Sequence, residues 1–466
     1  MQRIKQQNAS SALTLKNKLI YGIGAMGLDM SYGLCFSFFM KYSTDVLLID
    51  SFFLGVMMAV ARVWDGVNDP MMGTIANNTK SRFGRFRPWV FLGGILNAVV
   101  LFFLFFNPGF NTGSVKLHIY ITIFYVLWGM SMTMIDIPYW SFIPTLTSNL
   151  NERNVISAIP RFFSGLGQLT VMGATPLILS AFPAEKQSTG FALIAAGLSI
   201  MMIITSTITA AGTRERIVPP KEEKFTFKET LRTLRGNDQL LVFLVVVILF
   251  NLGWYMMNAL AAYFFDYVAE DNKLFTLFAA VSGVAQAVGL VLMSPLSKRF
   301  GKQRVFKGGI TAAIVGYLAL LFISTRGTLN IPLFFAFDLL ACLGIGCVFT
   351  AEMSMFADLV DYGEFKLGKR TESIVYSMKS FQMKFAQMAQ ALIMGIGLAI
   401  FSYQKNVHPQ PESGKTGIVL MMFLIPPILA LAALILFTRK YKLHSEYLED
   451  ISQAAHKGKL EASSTQ

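Results

Sequence analysis

Charge is what this chain has least of for its length. Asp, Glu, Lys and Arg make up 14% of its 466 residues, where soluble globular proteins carry about 25%. That scarcity excludes a water-facing surface over most of the chain. Cysteine is scarce too: Cys35, Cys342 and Cys347 lie in apolar runs without metal-ligand spacing. They make neither a disulfide framework nor a zinc site and read as small buried side chains. Only four histidines occur, and no nucleotide loop, nucleophile triad or metal cluster is found, so the chain does not read as an enzyme. Strict apolar/polar alternation over short segments is absent, which argues against a β-barrel. The first 18 residues, Met1 to Lys18, lack an apolar signal core. The first span itself is therefore expected to serve as the insertion signal.

Apolar residues are abundant, at 54%. Runs of roughly 20 recur along the whole length, each able to cross a hydrocarbon core of about 30 Å. The reading is an all-α polytopic membrane protein. Twelve spans are expected near 19–47, 52–78, 88–107, 117–148, 154–181, 187–213, 238–268, 273–297, 305–325, 330–362, 371–403 and 416–438. The net charge of +13 is explained by position rather than by nucleic acid. Segments 1–18, 79–87, 149–153, 214–237, 298–307, 363–370 and 439–466 hold 29 basic residues, while the six alternate loops hold six. Positive segments stay inside, so both termini are expected to be cytoplasmic. The expected domains are a six-helix bundle at 1–213, a central cytoplasmic loop at 214–237, and a second bundle with a tail at 238–466. A weak repeat agrees, because Ser81–Arg85 (SRFGR) and Lys298–Lys302 (KRFGK) lie 217 residues apart, as do Arg153 and Arg370. Two pseudo-symmetric six-helix halves are the pattern of the major-facilitator fold.

The charges that do enter the spans carry the functional reading. Asp65 and Asp69 are four apart and share one helix face. Two carboxylates at membrane depth are costly, and a small monovalent cation is the leading candidate ligand. Counting 1.5 Å per residue from the span ends puts Asp29, Asp65, Asp69, Asp136, Glu352 and Lys384 all about 15–20 Å deep, with Arg161 at about 10 Å and able to reach further. These deep groups, with Arg62 and Lys379, come from both halves and meet near the depth of carrier sites. Counted together they leave one excess negative charge, which one monovalent cation cancels. Thr133, Asp136 and Trp140 form a second stripe. An acid accepting hydroxyl hydrogen bonds beside an indole that covers a C–H face suits a sugar. At the end of the tenth span, Asp358, Asp361 and Glu364 meet Lys366, Lys369 and Arg370. Two readings are open: a solvated helix end, or a cytoplasmic gate in which Asp358 and Asp361 pair with Arg153 and Arg370.

The motifs Ala61-Arg62-Val63-Trp64-Asp65-Gly66-Val67-Asn68-Asp69-Pro70, Arg82-Phe83-Gly84-Arg85-Phe86-Arg87, Trp128-Gly129-Met130, Asp136-Ile137-Pro138-Tyr139-Trp140, Pro160-Arg161-Phe162-Phe163 and Asp361-Tyr362-Gly363-Glu364-Phe365 together resemble the glycoside–pentoside–hexuronide sugar:cation symporters. The resemblance runs nearly end to end. It implies cation ligands at Asp65, Asn68, Asp69 and Thr133, with Asn68 marking the sodium-accepting form. It implies sugar contacts at Asp29, Asp136, Trp140 and Arg161, and it aligns Lys384 with a deep lysine between the two sites. The chain departs from the family's melibiose carriers at Leu28, Phe36, Phe349 and Ser380, where those have Lys, Tyr, Trp and Thr. Glu352 and Lys379 lie outside the family pattern and are expected to pair.

The implied activity is inward symport of Na+, with Li+ or H+ as substitutes, and a galactoside such as melibiose. No resident cofactor and no nucleic-acid partner is expected, and a monomer in lipid suffices. Other glycosides, pentosides or hexuronides, a lysophospholipid cargo, and a sugar-sensing receptor are the competing readings.

Overall fold

A computed structural model describes residues 13–147, 150–216, 233–326, 329–367, 372–405 and 407–443. The described residues form helices and connecting turns, without strands. The long helices are α1 (Leu15–Lys41), α2 (Ser51–Asn78), α3 (Arg87–Leu104), α4 (Val115–Ser141), α5 (Leu150–Leu179), α6 (Gln187–Gly212), α7 (Asp238–Tyr263), α8 (Asn272–Phe300), α9 (Lys302–Ser324), α10 (Ile331–Leu367) and α11 (Glu372–Ile400). The twelfth, α12, is expected as one piece but comes in two, Glu412–Phe423 and Ile425–Lys440. Pro426 and Pro427 follow the break and supply no N–H to continue the ladder. Among the described residues, eleven helical spans are long and apolar enough to cross a membrane. The remaining helix, α2, falls short because Arg62, Asp65, Asn68 and Asp69 dilute its apolar run.

The chain divides into two compact units. One comprises Met1–Lys221, Ala261–Ala280 and Ala391–Lys415; the other comprises Glu222–Leu260, Val281–Gln390 and Thr416–Gln466.

In the first unit, α1 and α4 are tied by two tyrosines. Tyr21 donates its hydroxyl to the Tyr139 carbonyl at 2.9 Å, and Tyr139 donates to the Tyr21 carbonyl at 2.8 Å. Their rings stack at 4.8 Å. Next to them Ser31, Asn97, Ser131 and Trp128 close a buried hydrogen-bond net between α1, α3 and α4. α2 and α4 start from side-chain caps that satisfy orphan N–H groups. Asp50 accepts from the Phe53 amide and Ser114 from the Leu117 amide. The capped starts Ser51 and Val115 are 64 residues apart, and that offset recurs in the site below.

The first unit also holds a polar cluster where α1 and α7 each end in a π-helical turn, Tyr42–Val46 and Phe264–Val268. Lys41 pairs with Asp266 and lies 3.5 Å from Asp45. Tyr267 donates to Asp45 at 2.6 Å, and Tyr403 donates to its other oxygen.

In the second unit, glycines let backbones touch. A Cβ on Gly346 would sit 2.2 Å from the Gln286 carbonyl oxygen and 2.9 Å from the Gly289 Cα. Those are backbone atoms that cannot swing aside. Gly346→Val is expected to cost about 1–3 kcal/mol through overpacking, read as a lower melting temperature of the detergent-solubilised protein. An unchanged melting temperature would mean that α8 and α10 part without cost.

Candidate functional site

The capped starts put α2 and α4 in matched register. Asp65 lies 14 residues after Ser51, and Gly129 lies 14 after Val115; Asp69 and Thr133 each follow one turn later. Both pairs thus sit about 21–27 Å along their helices. Thr133 donates its hydroxyl to Asp69 Oδ1 at 3.0 Å. Gly129 faces Asp65, and a Cβ there would come within 3.1 Å of Asp65 Oδ1. A hydroxyl for one carboxylate and a bare backbone for the other let α4 close over both acids.

Asp65 is 5% exposed. Arg62, one turn earlier, donates from Nη1 to Asp65 Oδ2 at 2.9 Å and from Nη2 to the Tyr125 hydroxyl at 3.3 Å. The guanidinium also lies 5.7 Å from the Trp128 ring, a cation–π contact that favours its charge in an apolar setting. Part of the Asp65 charge is therefore already neutralised from within the same helix. Asn68 is half-buried, and its amide nitrogen is buried without a hydrogen-bond partner among the described residues. The four expected cation ligands Asp65, Asn68, Asp69 and Thr133 all sit on the facing turns of α2 and α4.

The expected sugar contacts of the first unit gather on α1, α4 and α5. Trp140 donates its indole N–H to Asp136 Oδ1 at 2.9 Å. Ser164 donates to Asp29, a contact without a local signal in the sequence. Asp29 and Asp136 are close enough for their charges to interact, and the exposed Arg161 acts on Asp29 from α5. Two carboxylates, a guanidinium and a half-buried indole converge there. Oriented acceptors, a cation and an aromatic face are what a hydroxylated ring with C–H faces can use.

Lys384 and Ser380 belong to the second unit, on α11; Lys384 is half-buried and Ser380 exposed. Glu352 and Lys379 are in the same unit. The Glu352 carboxylate is met by Asn251 at 3.5 Å and Gln382 at 3.4 Å. The Lys379 charge acts on Glu352, while its ammonium is directed at the Met353 thioether. At the expected gate, Asp358 accepts from Lys302 of α9 at 2.6 Å. Asp361 is exposed. Arg370 and the side chain of Arg153 lie outside the described residues.

Two features of the structure had weak or no sequence signal. Gly129 matters only because of where α2 lies, which no local pattern reveals. The Lys41–Asp266 pair joins residues 225 apart, and a lone lysine near a span end looks like an interfacial anchor.

Comparison with known proteins identifies the family of the chain. Residues 20–445 match the model of a family described as MFS/sugar transport protein. The isoprimeverose transporter of Lactiplantibacillus pentosus is 29% identical over 439 residues, covering 93% of this chain and 90% of that protein. The lactose permease of Lactobacillus delbrueckii subsp. bulgaricus is 27% identical over 462 residues, covering 93% of this chain and 71% of the permease. Among solved structures, a D-xylose–proton symporter superposes with a TM-score of 0.65 at 14% identity, over 91% of this chain and 97% of that one. That likeness bears on the fold, which is the major-facilitator fold.

Proposed function

The chain belongs to the MFS/sugar transport protein family, and from that footing we propose that it is a Na+-driven importer of a galactoside such as melibiose. At the coarser level it is a sugar:cation symporter, a multi-pass protein of the bacterial inner membrane. The observation that carries the finer reading is the matched register of α2 and α4, which turns Asp65 and Asp69 toward Gly129 and Thr133 one helical turn from Asp136.

Sodium would enter beside Asp69, with Thr133 and Asn68 offering neutral oxygens. An amide nitrogen without a partner does not hold Asn68 in one flip, so its oxygen is free to turn toward a cation. Arg62 already engages Asp65, so the arriving ion shares that carboxylate rather than taking it whole. Once the acids are neutralised, α2 and α4 close more tightly and fix Asp136 and Trp140 for sugar. The coupling is reciprocal: sugar must tighten sodium by the factor by which sodium tightens sugar. Rocking of the halves then delivers both cargoes inward. One charge moving through 100 mV adds about 2.3 kcal/mol toward accumulation.

The galactoside is favoured by the Asp29–Asp136–Trp140 grouping and by the lactose-carrying relative. The isoprimeverose relative keeps other glycosides in play. Uptake of labelled melibiose, raffinose, lactose and isoprimeverose into vesicles, each with and without sodium at constant ionic strength, tests both halves of the reading. Sodium-stimulated uptake of a galactoside is expected. Equal uptake with and without sodium, lithium and a proton gradient would remove the coupling, and preference for isoprimeverose would replace the substrate.

A further inference from the structure

Over residues 250–265 of α7 and its π-turn, every side chain is buried except Trp254 and Asn258. They are four apart and share a face. The rotation of α7 is set on another side by Gly253, where a Cβ would lie 3.1 Å from the Pro426 Cα of α12. Trp254 sits about 24 Å along α7 and Phe349 about 27 Å along α10, near the middle of each helix. The indole meets the half-buried Phe349 edge-on, with ring centroids 5.1 Å apart.

Two other tryptophans in this molecule give their indole N–H to a hydroxyl. Trp128 is 1% exposed and donates its N–H to Ser31. Trp89 donates to Thr79. Trp254 is half-buried, and among the described residues its N–H meets no acceptor. Asn258 gives an N–H to its own helix, at the Trp254 carbonyl 2.9 Å away, and keeps its oxygen available.

One turn nearer the start of α7, on the same stripe, lies a polar layer. Asn251, one turn before Trp254, donates to Gln382 Oε1 at 3.2 Å and to Glu352 Oε2 at 3.5 Å. Asn251 is 4% exposed, and its side-chain amide oxygen is buried without a hydrogen-bond partner among the described residues. An orphaned acceptor of that kind is costly unless a donor arrives.

We propose that Trp254 and Asn258 form a sugar-contacting face of the second unit, with Phe349 beside them. The indole covers the C–H face of a pyranose ring, its N–H donates to a ring or hydroxyl oxygen, and Asn258 accepts from a hydroxyl. Asn251, Gln382 and Glu352 are positioning residues that fix the turn of α7 carrying the face. The inference rests on the sugar-carrier reading and adds to it a binding surface from residues outside the family motifs.

The test uses the full-length protein in nanodiscs, with equilibrium binding of labelled melibiose and raffinose, sodium binding measured without sugar, and thermal melting. Trp254→Ala is expected to weaken sugar binding at least about tenfold, or about 1.4 kcal/mol. Trp254→Phe keeps a ring and is expected to lose only about threefold. Sodium binding and melting temperature stay at wild-type values in both. Sugar added to wild type changes the tryptophan emission, and Trp254→Phe removes part of that change. If Trp254→Ala binds sugar as wild type does, the inference falls while the carrier reading stands. If wild type binds neither sugar, the galactoside reading falls first. Should Trp254→Ala lose its fold, the Trp254→Phe emission change and Asn258→Ala affinity decide: two wild-type results overturn the proposal, and a reduced emission change or affinity upholds it.

Discussion

Replacing Asp69 by cysteine is expected to abolish the sodium dependence of sugar affinity while leaving weak sodium-independent binding. The reason lies in how the two acids of α2 are partnered. Asp65 has a guanidinium at 2.9 Å, so one full positive charge already stands beside it. Asp69 accepts from the hydroxyl of Thr133, which is a dipole and cannot cancel a charge. Losing Asp69 removes a carboxylate from the α2–α4 contact that the sodium site is proposed to use. Ligand couplings of this kind run from about 5- to 150-fold in affinity; in Asp69→Cys the ratio of sugar Kd without and with sodium should collapse to one. The residual binding survives because Asp29, Asp136 and Trp140 stand on α1 and α4 and need no contact with the new side chain. Binding measured at matched ionic strength separates this from general screening. A variant that kept its sodium stimulation would move the cation site away from α2.

How much of this was written in the sequence depends on whether the signal is local. The spans were legible because hydrocarbon demands about 20 apolar residues whatever the neighbours do. The exception is instructive: among the described long helices α2 alone has no run apolar enough to count as a span, because it carries Arg62, Asp65 and Asp69, and the same residues that blur it as a span mark it as a site. Caps at Asp50 and Ser114 are local as well, and they fix where α2 and α4 begin. The pairing of α2 with α4 is tertiary, so the roles of Gly129 and of Ser164 were hidden. Lys302 with Asp358 shows the same limit. Both residues were visible as charged helix ends, yet which basic group faces Asp358 depends on the approach of α9 to α10. Trp254 was invisible for a different reason. A tryptophan within an apolar run reads as core, and only its half-exposed indole with an undonated N–H sets it apart.

Asp136→Asn is expected to lower sugar affinity about 10- to 100-fold and to leave sodium binding in the absence of sugar unchanged. Two effects oppose each other here. Removing the charge relieves repulsion from Asp29, whose carboxylate interacts with that of Asp136; that relief stabilises the empty protein and is indifferent to sugar. Against it, a hydrogen bond accepted by a carboxylate contributes about 1.5–3 kcal/mol and a neutral one about half as much or less. A sugar offers adjacent hydroxyl donors, so more than one such bond is weakened at once. The amide also brings an N–H2 that points donor against donor if it occupies the place of the second carboxylate oxygen. Trp140 is spared, because the Asn oxygen can still accept its indole N–H at the 2.9 Å now held by Asp136 Oδ1. The loss therefore belongs to the hydroxyl contacts and not to a displaced ring. Tryptophan emission of the sugar-free protein should stay at the wild-type value, while the sugar concentration for half-saturation rises. Unaltered half-saturation would show that Asp136 only anchors Trp140, and the hydroxyl acceptor would then have to be Asp29.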